Sequence, residues 1–374
     1  MTSAKHYLLF FCIGIIIGLI YGSSKAPSLL VKVSSLPREE IDETRITVKN
    51  CAPENALHGE TWLGNDLTAG LKELYPNTSQ IYQPDTVPET SYINIYLRGY
   101  EQYKPPFPDS RHINIAYLIY PLHFSRFNKT KIEHRHQLKP ADIGYPHALF
   151  DETQFYDALA VASKSYAEKM HRAGYNAYYV PQFTNPERFY PEYDETVKSE
   201  ILFVGKNVPY RTAAPIALKA GLPITVYGPD WQGLALAESI PNQNLHRYYS
   251  SAKIVLNDTR PDMRNNGFIS NRIFDATASG ALVISDYMKE IEEIYGNTVP
   301  MYKTEAELIE LIKYYLSPEH EAERLNKARL AREITLKHFT SAIVAKKFHK
   351  IIKNTQKKTF LQKISELKKI FIDK

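Results

Sequence analysis

The sequence predicts an α/β protein of two domains, each built on a parallel β-sheet, and three observations lead to this prediction. The chain has 374 residues, which is more than one hydrophobic core usually supports. From Arg45 onward, short apolar runs alternate with segments of helical period, an order typical of parallel sheets. A proline-rich and charged stretch, 185–199, interrupts this alternation and indicates a linker between two halves.

The first half, 45–184, is predicted to alternate between strands and helices. Strands are expected where β-branched and aromatic residues cluster, and helices where apolar residues recur at steps of three and four. The predicted strands are 46–48, 92–99, 112–121, 158–163 and 177–183, and the predicted helices are 62–74, 153–160 and 165–174.

The second half, 200–347, shows the same alternation, and its most informative part is 244–286. This part reads as a short polar helix, a buried strand (252–256), a polar loop, a helix that begins near Ser270, and a second buried strand (281–285). The other predicted elements of this half are strands 201–205 and 224–228 and helices 304–316 and 319–340.

The loop and helix start near Ser270 predict an anion site. A helix N-terminus that follows a parallel strand presents unpaired N–H groups and the positive end of the helix dipole. One turn further along, Asp275 could accept hydrogen bonds from ribose hydroxyls while the helix start holds phosphate. Together these features suggest a pocket for a nucleotide-sugar.

At these residues the chain resembles glycosyltransferases of the GT-B architecture, group 1, and most closely their spore-maturation-protein-like branch. The matching segments are 199–207, 222–231, 240–257, 267–286, the helical end to about Phe348, and the joining segment 180–191. The resemblance implies two Rossmann-like domains that face each other across a cleft. The N-terminal domain would bind the acceptor, and the C-terminal domain would bind the nucleotide-sugar donor.

One position departs from the pattern of group 1 enzymes. These enzymes usually have a Glu on the helix and another Glu eight residues earlier, but here the two positions hold Asp275 and Gly267. The resemblance assigns Asp275 to the ribose. The role of the earlier carboxylate could fall to Asn266, to Asn271 or to no residue.

The phosphate ligands are expected at strand ends that face the cleft. Lys206 and Asn207 follow strand 201–205, and Arg211 opens the next helix. Arg272 lies in the first turn of its helix, where a cation is unfavourable against the dipole unless an anion lies beside it. It could instead pair with Asp258 or Asp262, and Ser270 could act as an N-cap, as a phosphate ligand or as both.

Further donor-binding residues are expected from the resemblance. Related enzymes hold the donor near the loop that here contains Tyr227, Gly228, Asp230 and Trp231, although Trp231 could equally pack between domains. They hold the base edge near Asn242 and Leu245. The complete expected donor set is Asn207, Arg211, Tyr227, Gly228, Asp230, Asn242, Leu245, Ser270, Asn271 and Asp275.

Catalysis requires stabilisation of the leaving diphosphate and, for inversion, a base for the acceptor hydroxyl. Lys206, Arg211 and Arg272 could meet the first need. His123 is the candidate base because it follows strand 112–121, although the His-Pro pair of similar proteins appears here as Pro-Leu-His. The predicted catalytic residues are thus His123, Arg272 and Lys206, with weaker candidates at His134, His136, His147 and Asp66.

No metal or cofactor is expected. The chain has only Cys12 and Cys51, and it has no CxxC or HExxH motif, in agreement with the metal independence that the resemblance implies. The nucleotide-sugar would be a co-substrate, and the acceptor would be a glycan, a lipid-linked saccharide or a protein.

Both ends of the chain suggest a membrane partner. Residues 7–21 are uncharged and apolar, so 1–26 could be a signal peptide or a signal anchor, followed by a linker, 27–44. Residues 346–374 hold ten Lys against Glu366 and Asp373, a local charge of +8, which leaves about −3 for the rest of a chain whose total is +5. A local basic patch argues against general nucleic-acid binding.

The tail, 348–374, is predicted to be a basic amphipathic helix that either packs on the protein or lies on anionic lipid. The expected location is the cytoplasmic face of a membrane, and the alternative is the secretory lumen or export.

The sequence therefore predicts a glycosyltransferase. Two alternatives stay open: a nucleotide-sugar epimerase or hydrolase of the same fold, and a catalytically inactive membrane-associated sugar- or nucleotide-binding protein. The missing carboxylate at Gly267 and the displaced His123 favour the latter.

Overall fold

The computed structural model describes residues 45–50, 54, 59–82, 92–98, 112–121 and 156–372, with side chains given as far as Gln356. All of these residues belong to one compact unit, Arg45–Lys374. Within it the described strands form two parallel sheets, as the alternation of apolar runs and helices predicts.

The first sheet has six strands in the order β2-β1-β3-β4-β5-β6. The strands are β1 (Ile46–Lys49), β2 (Thr78–Ile81), β3 (Ile93–Arg98), β4 (Ile113–Leu118), β5 (Ala158–Val161) and β6 (Ala177–Tyr179), and the helices are α1 (Gly59–Lys72) and α2 (Lys164–Arg172). Every residue of β1, β3 and β5 is buried. A parallel sheet covered on both faces requires such continuous apolar runs, which is why the sequence shows them.

Two details of the first half differ from the prediction. The predicted helix 153–160 is wrong over 158–160, because these residues form the start of β5. The predictions also miss β2, whose sequence TSQI is largely polar and pairs on one side only, with β1.

The second sheet has the order β11-β10-β9-β7-β8. Its strands are β7 (Ser199–Val204), β8 (Ile224–Tyr227), β9 (Ala252–Asn257), β10 (Leu282–Asp286) and β11 (Met301–Tyr302). Its helices are α3 (Ala213–Lys219), α4 (Leu245–Ser250), α5 (Pro261–Asn265), α6 (Asn271–Ala278), α7 (Lys289–Tyr295), α8 (Glu305–Leu316) and α9 (Glu321–His338). The predicted order of elements across 244–286 is observed, and α5, α7 and β11 are additional.

The strand order places the ligand crevice of the second half. Chain order runs outward from β7 in both directions, to β8 on one side and to β9 on the other. In open α/β sheets, ligands bind beyond the carboxyl ends of the strands at such a switch point. The relevant residues are therefore those that follow Val204 and Asn257.

The last helix, α10 (Ser341–Ile372), returns to the first half. The N–H of Thr184 donates to the Phe339 carbonyl at 2.9 Å, and the N–H of Ser341 donates to the Thr184 carbonyl at 2.9 Å. The chain thus leaves the first sheet and comes back to it at one place.

Residues of α10 complete the first hydrophobic core rather than the second. Val344, Phe348 and Ile351 are buried in that core, and the Phe348 ring lies edge-on to Tyr117 at 5.3 Å. The predicted domain boundary at 347/348 falls inside α10, because this helix begins at Ser341 and continues past that position. Residues of α10 on both sides of the boundary pack in the first core. Most of the basic amphipathic tail predicted for 348–374 lies beyond Gln356, the last residue whose side chain is described, so it stays a prediction.

Membrane association stays a prediction. None of the helices in the described part of the chain is long and apolar enough to cross a membrane. The apolar stretch 7–21, which carries the predicted signal peptide or anchor, lies outside that part.

Because Phe348 is fully buried against Tyr117, Phe348→Ala should lower the free energy of unfolding by about 3–5 kcal/mol. Chemical denaturation of the full chain measures this change. The control is Lys350→Ala on an exposed position of the same helix. Equal stability of the two variants would show that α10 is not part of the first core.

Candidate active site

A cleft of about 820 Å³ separates the carboxyl ends of the two sheets. Its first wall includes residues that follow β4 and residues from α1, among them Ile119, Tyr120 and Trp62. Its second wall includes residues that follow β7 and β9 and the start of α6. The cleft therefore lies where the strand order places a ligand.

Two glycines shape the second wall. A Cβ at Gly228, whose φ is +134°, would lie 2.2 Å from the Gly205 carbonyl oxygen, so the end of β8 can approach β7 only through a glycine. A Cβ at Gly205 would lie 3.0 Å from Nη2 of Arg272. Gly228 thus holds the strand ends together, and Gly205 leaves room for a guanidinium group in the cleft.

Arg272 is anchored to the strand ends by its guanidinium group. Nη2 donates to the Val204 carbonyl at 2.6 Å, and Nη1 donates to Oδ1 of Asn257 at 3.0 Å. The group also lies over the Phe203 ring, 4.9 Å from its centroid. Burial, and next to it the positive charge of Arg211, lower the pKa of Arg272. An anion between the two guanidinium groups would relieve this repulsion.

Arg211 is held by Asp258, at the end of β9. Its Nη1 donates to Oδ1 of Asp258 at 2.8 Å, and Oδ2 of Asp258 accepts from the N–H groups of Thr212 and Ala213 at 2.9 and 3.3 Å. Nε of Arg211 is buried and donates to none of the described residues. Asp258 thus pairs with Arg211, and Asp262 pairs with Arg260, so the alternative pairing of Arg272 with either carboxylate is not observed.

Lys206 lines the cleft, but it is more than half exposed. Its Nζ lies 3.0 Å from Oδ2 of Asp230, which is equally exposed and has a φ of +67°. Trp231, next in the chain, is buried and donates from Nε1 to the Gly205 carbonyl at 2.8 Å. The loop after β8 therefore supports the cleft wall, and Trp231 packs within the second domain against Phe203.

The start of α6 presents hydrogen-bond acceptors to the cleft. Ser270 occupies the N-cap position, but its hydroxyl makes no capping bond. Nδ2 of Asn271 donates to Oδ2 of Asp275 at 2.8 Å. The remaining oxygens, Oδ1 of Asn271 and Oδ1 of Asp275, are buried and accept from none of the described residues. This leaves two adjacent acceptors that a ligand with two hydroxyl donors could satisfy.

The charge of Asp275 is sensitive to its surroundings. Burial raises the pKa of its carboxyl to about 7, the nearby Asp66 raises it too, and Arg188 and Asn271 lower it. Tyr249 lies beside this carboxylate, and burial raises the pKa of its hydroxyl to about 12. Asp275 is therefore surrounded by a neutral phenol, one cation and one further acid.

The structure brings together most, but not all, of the predicted site residues. Lining the cleft are Lys206, Arg211, Asn242, Leu245, Ser270, Asn271, Arg272 and Asp275. Asn207, Tyr227, Gly228 and Asp230 are not among the described residues that line it. Their observed contacts are structural: the N–H of Asn207 donates to the Pro229 carbonyl at 3.0 Å, and Tyr227 packs edge-on to Tyr248 at 5.1 Å.

Position 267 does not supply a carboxylate to the cleft. Gly267 has a φ of +72°, and a Cβ there would lie 2.4 Å from Oε1 of Glu290, away from Asp275. Asn266 is engaged elsewhere, because its carbonyl accepts from the Ser163 hydroxyl at 2.7 Å and its Nδ2 donates to the Asp262 carbonyl at 2.8 Å. Of the candidates for the missing role, Asn271 lines the cleft.

Sequence reasoning missed several residues of the cleft. Arg188 lies in the segment read as the linker, and Tyr210 and Arg260 lie in loops without a local pattern. Asp66, a weaker catalytic candidate from the sequence, lies beside Arg188 and is not among the described residues that line the cleft. The histidine candidates His123, His134, His136 and His147 lie outside the described residues.

No group of three or more His, Cys, Asp or Glu side chains in the described part of the chain could hold a metal ion. The charged residues that line the cleft include four arginines, Lys206, Glu60, Asp258 and Asp275.

Residues 211–350 match the family described as glycosyl transferase-like. No curated protein sequence is significantly similar to the chain.

Solved structures share the fold at low sequence identity. Sucrose-phosphate synthase from Thermosynechococcus elongatus is 13% identical, with a TM-score of 0.56 over 83% of this chain and 99% of that one. AviGT4, a glycosyltransferase involved in avilamycin A biosynthesis, is 14% identical, with a TM-score of 0.53 over 83% and 98% of the chains.

HepE from Anabaena, solved with UDP and glucose, is 9% identical, with a TM-score of 0.54 over 83% of this chain and 100% of that one. The chain therefore has the GT-B fold, and its residues 211–350 are similar to the glycosyl transferase-like family.

Proposed function

We propose that the protein is a glycosyltransferase that moves a sugar from a nucleotide-sugar donor, held by the second domain, to an acceptor held by the first. One observation carries this proposal. The same wall of the cleft presents two unmet acceptors, on Asn271 and Asp275, and two cations, Arg211 and Arg272. A nucleoside diphosphate has the complementary groups, a ribose diol that donates and a diphosphate that accepts.

The diphosphate would lie between Arg211 and Arg272. Arg272 is fixed to a backbone carbonyl and to Asn257, so it needs no reorganisation when negative charge develops on the leaving group. Nε of Arg211 offers an unused donor. Because these guanidinium groups supply the positive charge, the proposed reaction includes no metal and no cofactor.

The ribose would lie against Asp275. One ribose hydroxyl would donate to Oδ1 of the ionised Asp275 carboxylate and the other to Oδ1 of Asn271, and a hydrogen bond to a charged acceptor is worth about 1.5–3 kcal/mol. Because the unliganded carboxyl has a pKa of about 7, binding of ribose hydroxyls stabilises its ionised form. Nucleotide affinity should therefore fall as the pH drops below neutrality. The fold shared with HepE, which binds UDP, supports this ligand class.

The acceptor would enter from the other wall. Trp62 and Tyr120 of the first domain, with Tyr210 and Arg260 of the second, line this end of the cleft. Aromatic faces beside charged groups suit a saccharide, whether free, lipid-linked or attached to protein. His123 would act as the base that deprotonates the acceptor hydroxyl.

One observation favours a second candidate, an inactive nucleotide-sugar-binding protein. Gly267 and the adjoining backbone face Glu290, so no carboxylate reaches the cleft from that position. This candidate predicts donor binding without turnover, whereas an epimerase or hydrolase predicts turnover without an acceptor.

Asp275→Ala should weaken nucleotide binding by about 1–3 kcal/mol, because one ribose hydroxyl loses its charged acceptor. Calorimetric titration of the full chain with UDP, GDP, ADP, CMP and dTDP identifies the ligand and measures the change. Glu293→Ala, on an exposed position of α7, is the carboxylate control. Equal affinity of both variants would remove Asp275 from the ribose site.

Arg272→Gln should lower kcat by about 100-fold or more, the scale of losing one preorganised donor to developing charge. The assay follows nucleoside diphosphate release from the nucleotide-sugar with and without a saccharide acceptor pool. The matched control is Arg324→Gln, a buried arginine that pairs with Glu321 away from the cleft. Retained turnover together with a large loss of thermal stability would make Arg272 purely structural.

We also infer that the protein works at a membrane surface, on the basis of the apolar stretch 7–21 and the ten Lys of 346–374. The full chain should sediment with phosphatidylglycerol vesicles. Removal of 1–26 should reduce this binding and make the remainder sensitive to salt. Equal binding to uncharged phosphatidylcholine vesicles after the removal would contradict a role for the basic tail.

A further inference from the structure

Arg188 lies in the segment that joins the two halves, and it points into the cleft rather than into solvent. Its side chain is 13% exposed, and its guanidinium carbon lies 4.4 Å from the Phe189 ring centroid and 5.2 Å from that of Trp62. Two aromatic faces therefore hold the plane of the guanidinium group.

All three nitrogens of the Arg188 guanidinium group are engaged. Nε donates to Oδ1 of Asp66 at 3.2 Å, Nη2 pairs with Oδ2 of the same carboxylate, and Nη1 donates to Oδ1 of Asn242. Asp66 accepts one more bond, from Nδ2 of Asn185 at 3.0 Å. This two-pronged pairing fixes the orientation of the group as well as its position.

The partners of Arg188 come from different domains. Asp66 lies on α1 and is 3% exposed, whereas Asn242 begins the turn that leads into α4. Leu245 and Tyr249 of α4 line the cleft next to Asp275. Asp66 of the first domain thus fixes Arg188, and Arg188 in turn fixes the turn at Asn242. This turn lies at one end of the cleft, which Asp275 also lines.

We infer that Arg188 is a positioning residue for the nucleoside part of the donor, and that Asp66, although it lies on the acceptor domain, controls donor affinity through it. This inference rests on the proposed function, since it concerns the same cleft. It adds a determinant that lies outside the family-matching donor half, 211–350.

Preorganisation explains why Asp66 should matter. A free arginine side chain would lose rotamer entropy on being ordered by a ligand. The ion pair with Asp66 and the two ring contacts order Arg188 before the donor arrives. The turn at Asn242 is then already in place for the nucleoside.

Arg188 also favours the ionised form of Asp275, against the effect of burial. Among the described groups facing Asp275, Arg188 favours its ionised form, Asp66 opposes it, and Tyr249 stays neutral near pH 7. Without Arg188, Asp275 would face Asp66 with no cation between them. Its pKa would then rise above about 7, and the loss of donor affinity on acidification would begin at a higher pH.

The sign of the Asp66 effect separates two explanations. If Asp66 acted only through space, its negative charge would repel a diphosphate, and Asp66→Asn would tighten binding. If Asp66 acts by holding Arg188, the same substitution weakens binding. The asparagine keeps the size of the side chain, so cavity formation does not contribute.

The experiment titrates the full chain with UDP-glucose, ADP-glucose, GDP-mannose and dTDP-glucose, and uses the tightest binder as the probe from pH 5.5 to 8.5. Diphosphate diesters do not titrate in this range, so the pH profile reports on the protein. The variants are Asp66→Asn, Arg188→Gln, Arg188→Lys and the Asp66→Asn/Arg188→Gln double variant, with Arg324→Gln as the buried-arginine control.

Asp66→Asn should weaken binding about 5-fold and Arg188→Gln about 10-fold or more, with the double variant no weaker than Arg188→Gln, because both act through one contact. Arg188→Lys should not restore affinity, since an ammonium cannot form the two-pronged pair. The pH midpoint for loss of affinity should rise in Arg188→Gln and stay unchanged in Arg324→Gln.

Two results would overturn the inference alone: wild-type or tighter binding by Asp66→Asn, or an unchanged pH midpoint in Arg188→Gln. Failure of the wild-type chain to bind any probe would instead overturn the proposed function, and the inference with it. If Asp66→Asn does not fold, Asn185→Ala is the deciding variant. It removes the hydrogen bond from Asn185 to the Asp66 carboxylate without changing any charge. That variant should weaken binding, and unchanged affinity would count against the inference.

Discussion

The double crossing of the chain at Thr184 and Ser341 is the constraint on which the rest of the structure depends. Two backbone hydrogen bonds join these crossings, and α10 then completes the core of the first sheet. The first half lacks its full core without the residues of α10 that follow the crossing. The carboxyl ends of both sheets are consequently held facing each other, and every feature of the cleft follows from that arrangement.

Within the cleft, backbone and side-chain groups at the strand ends fix the positions of two arginines. Gly205 and Gly228 bring the ends of β7 and β8 so close that the Val204 carbonyl is available to anchor Arg272. Arg211 is anchored by Asp258 from the neighbouring strand. Of these two guanidinium groups only that of Arg211 is paired with a carboxylate, so an excess of positive charge remains, which suits a diphosphate. The acceptor oxygens of Asn271 and Asp275 continue the same wall.

The architecture of the two parallel sheets tolerates extensive sequence change. Structures that are 9–14% identical share the fold over most of their length. The buried strands of a parallel sheet require only apolar residues of suitable size, so many different sequences can form the same sheet. In this chain Asp275 and Arg188 line the cleft, whereas Gly267 supplies no side chain to it.

The sequence by itself determined the elements whose signals are local: the apolar strands and the order helix–strand–helix–strand across 244–286. The sequence did not predict strand β2, because its residues TSQI form an edge strand paired only with β1 and therefore include no apolar run. The tertiary structure alone decided that Arg188 meets Asp66 and Asn242, and that α10 belongs to the first core. These contacts join residues far apart in the chain. Periodicity fixes which face of an element is buried, whereas the partner that buries it depends on the packing of the whole chain.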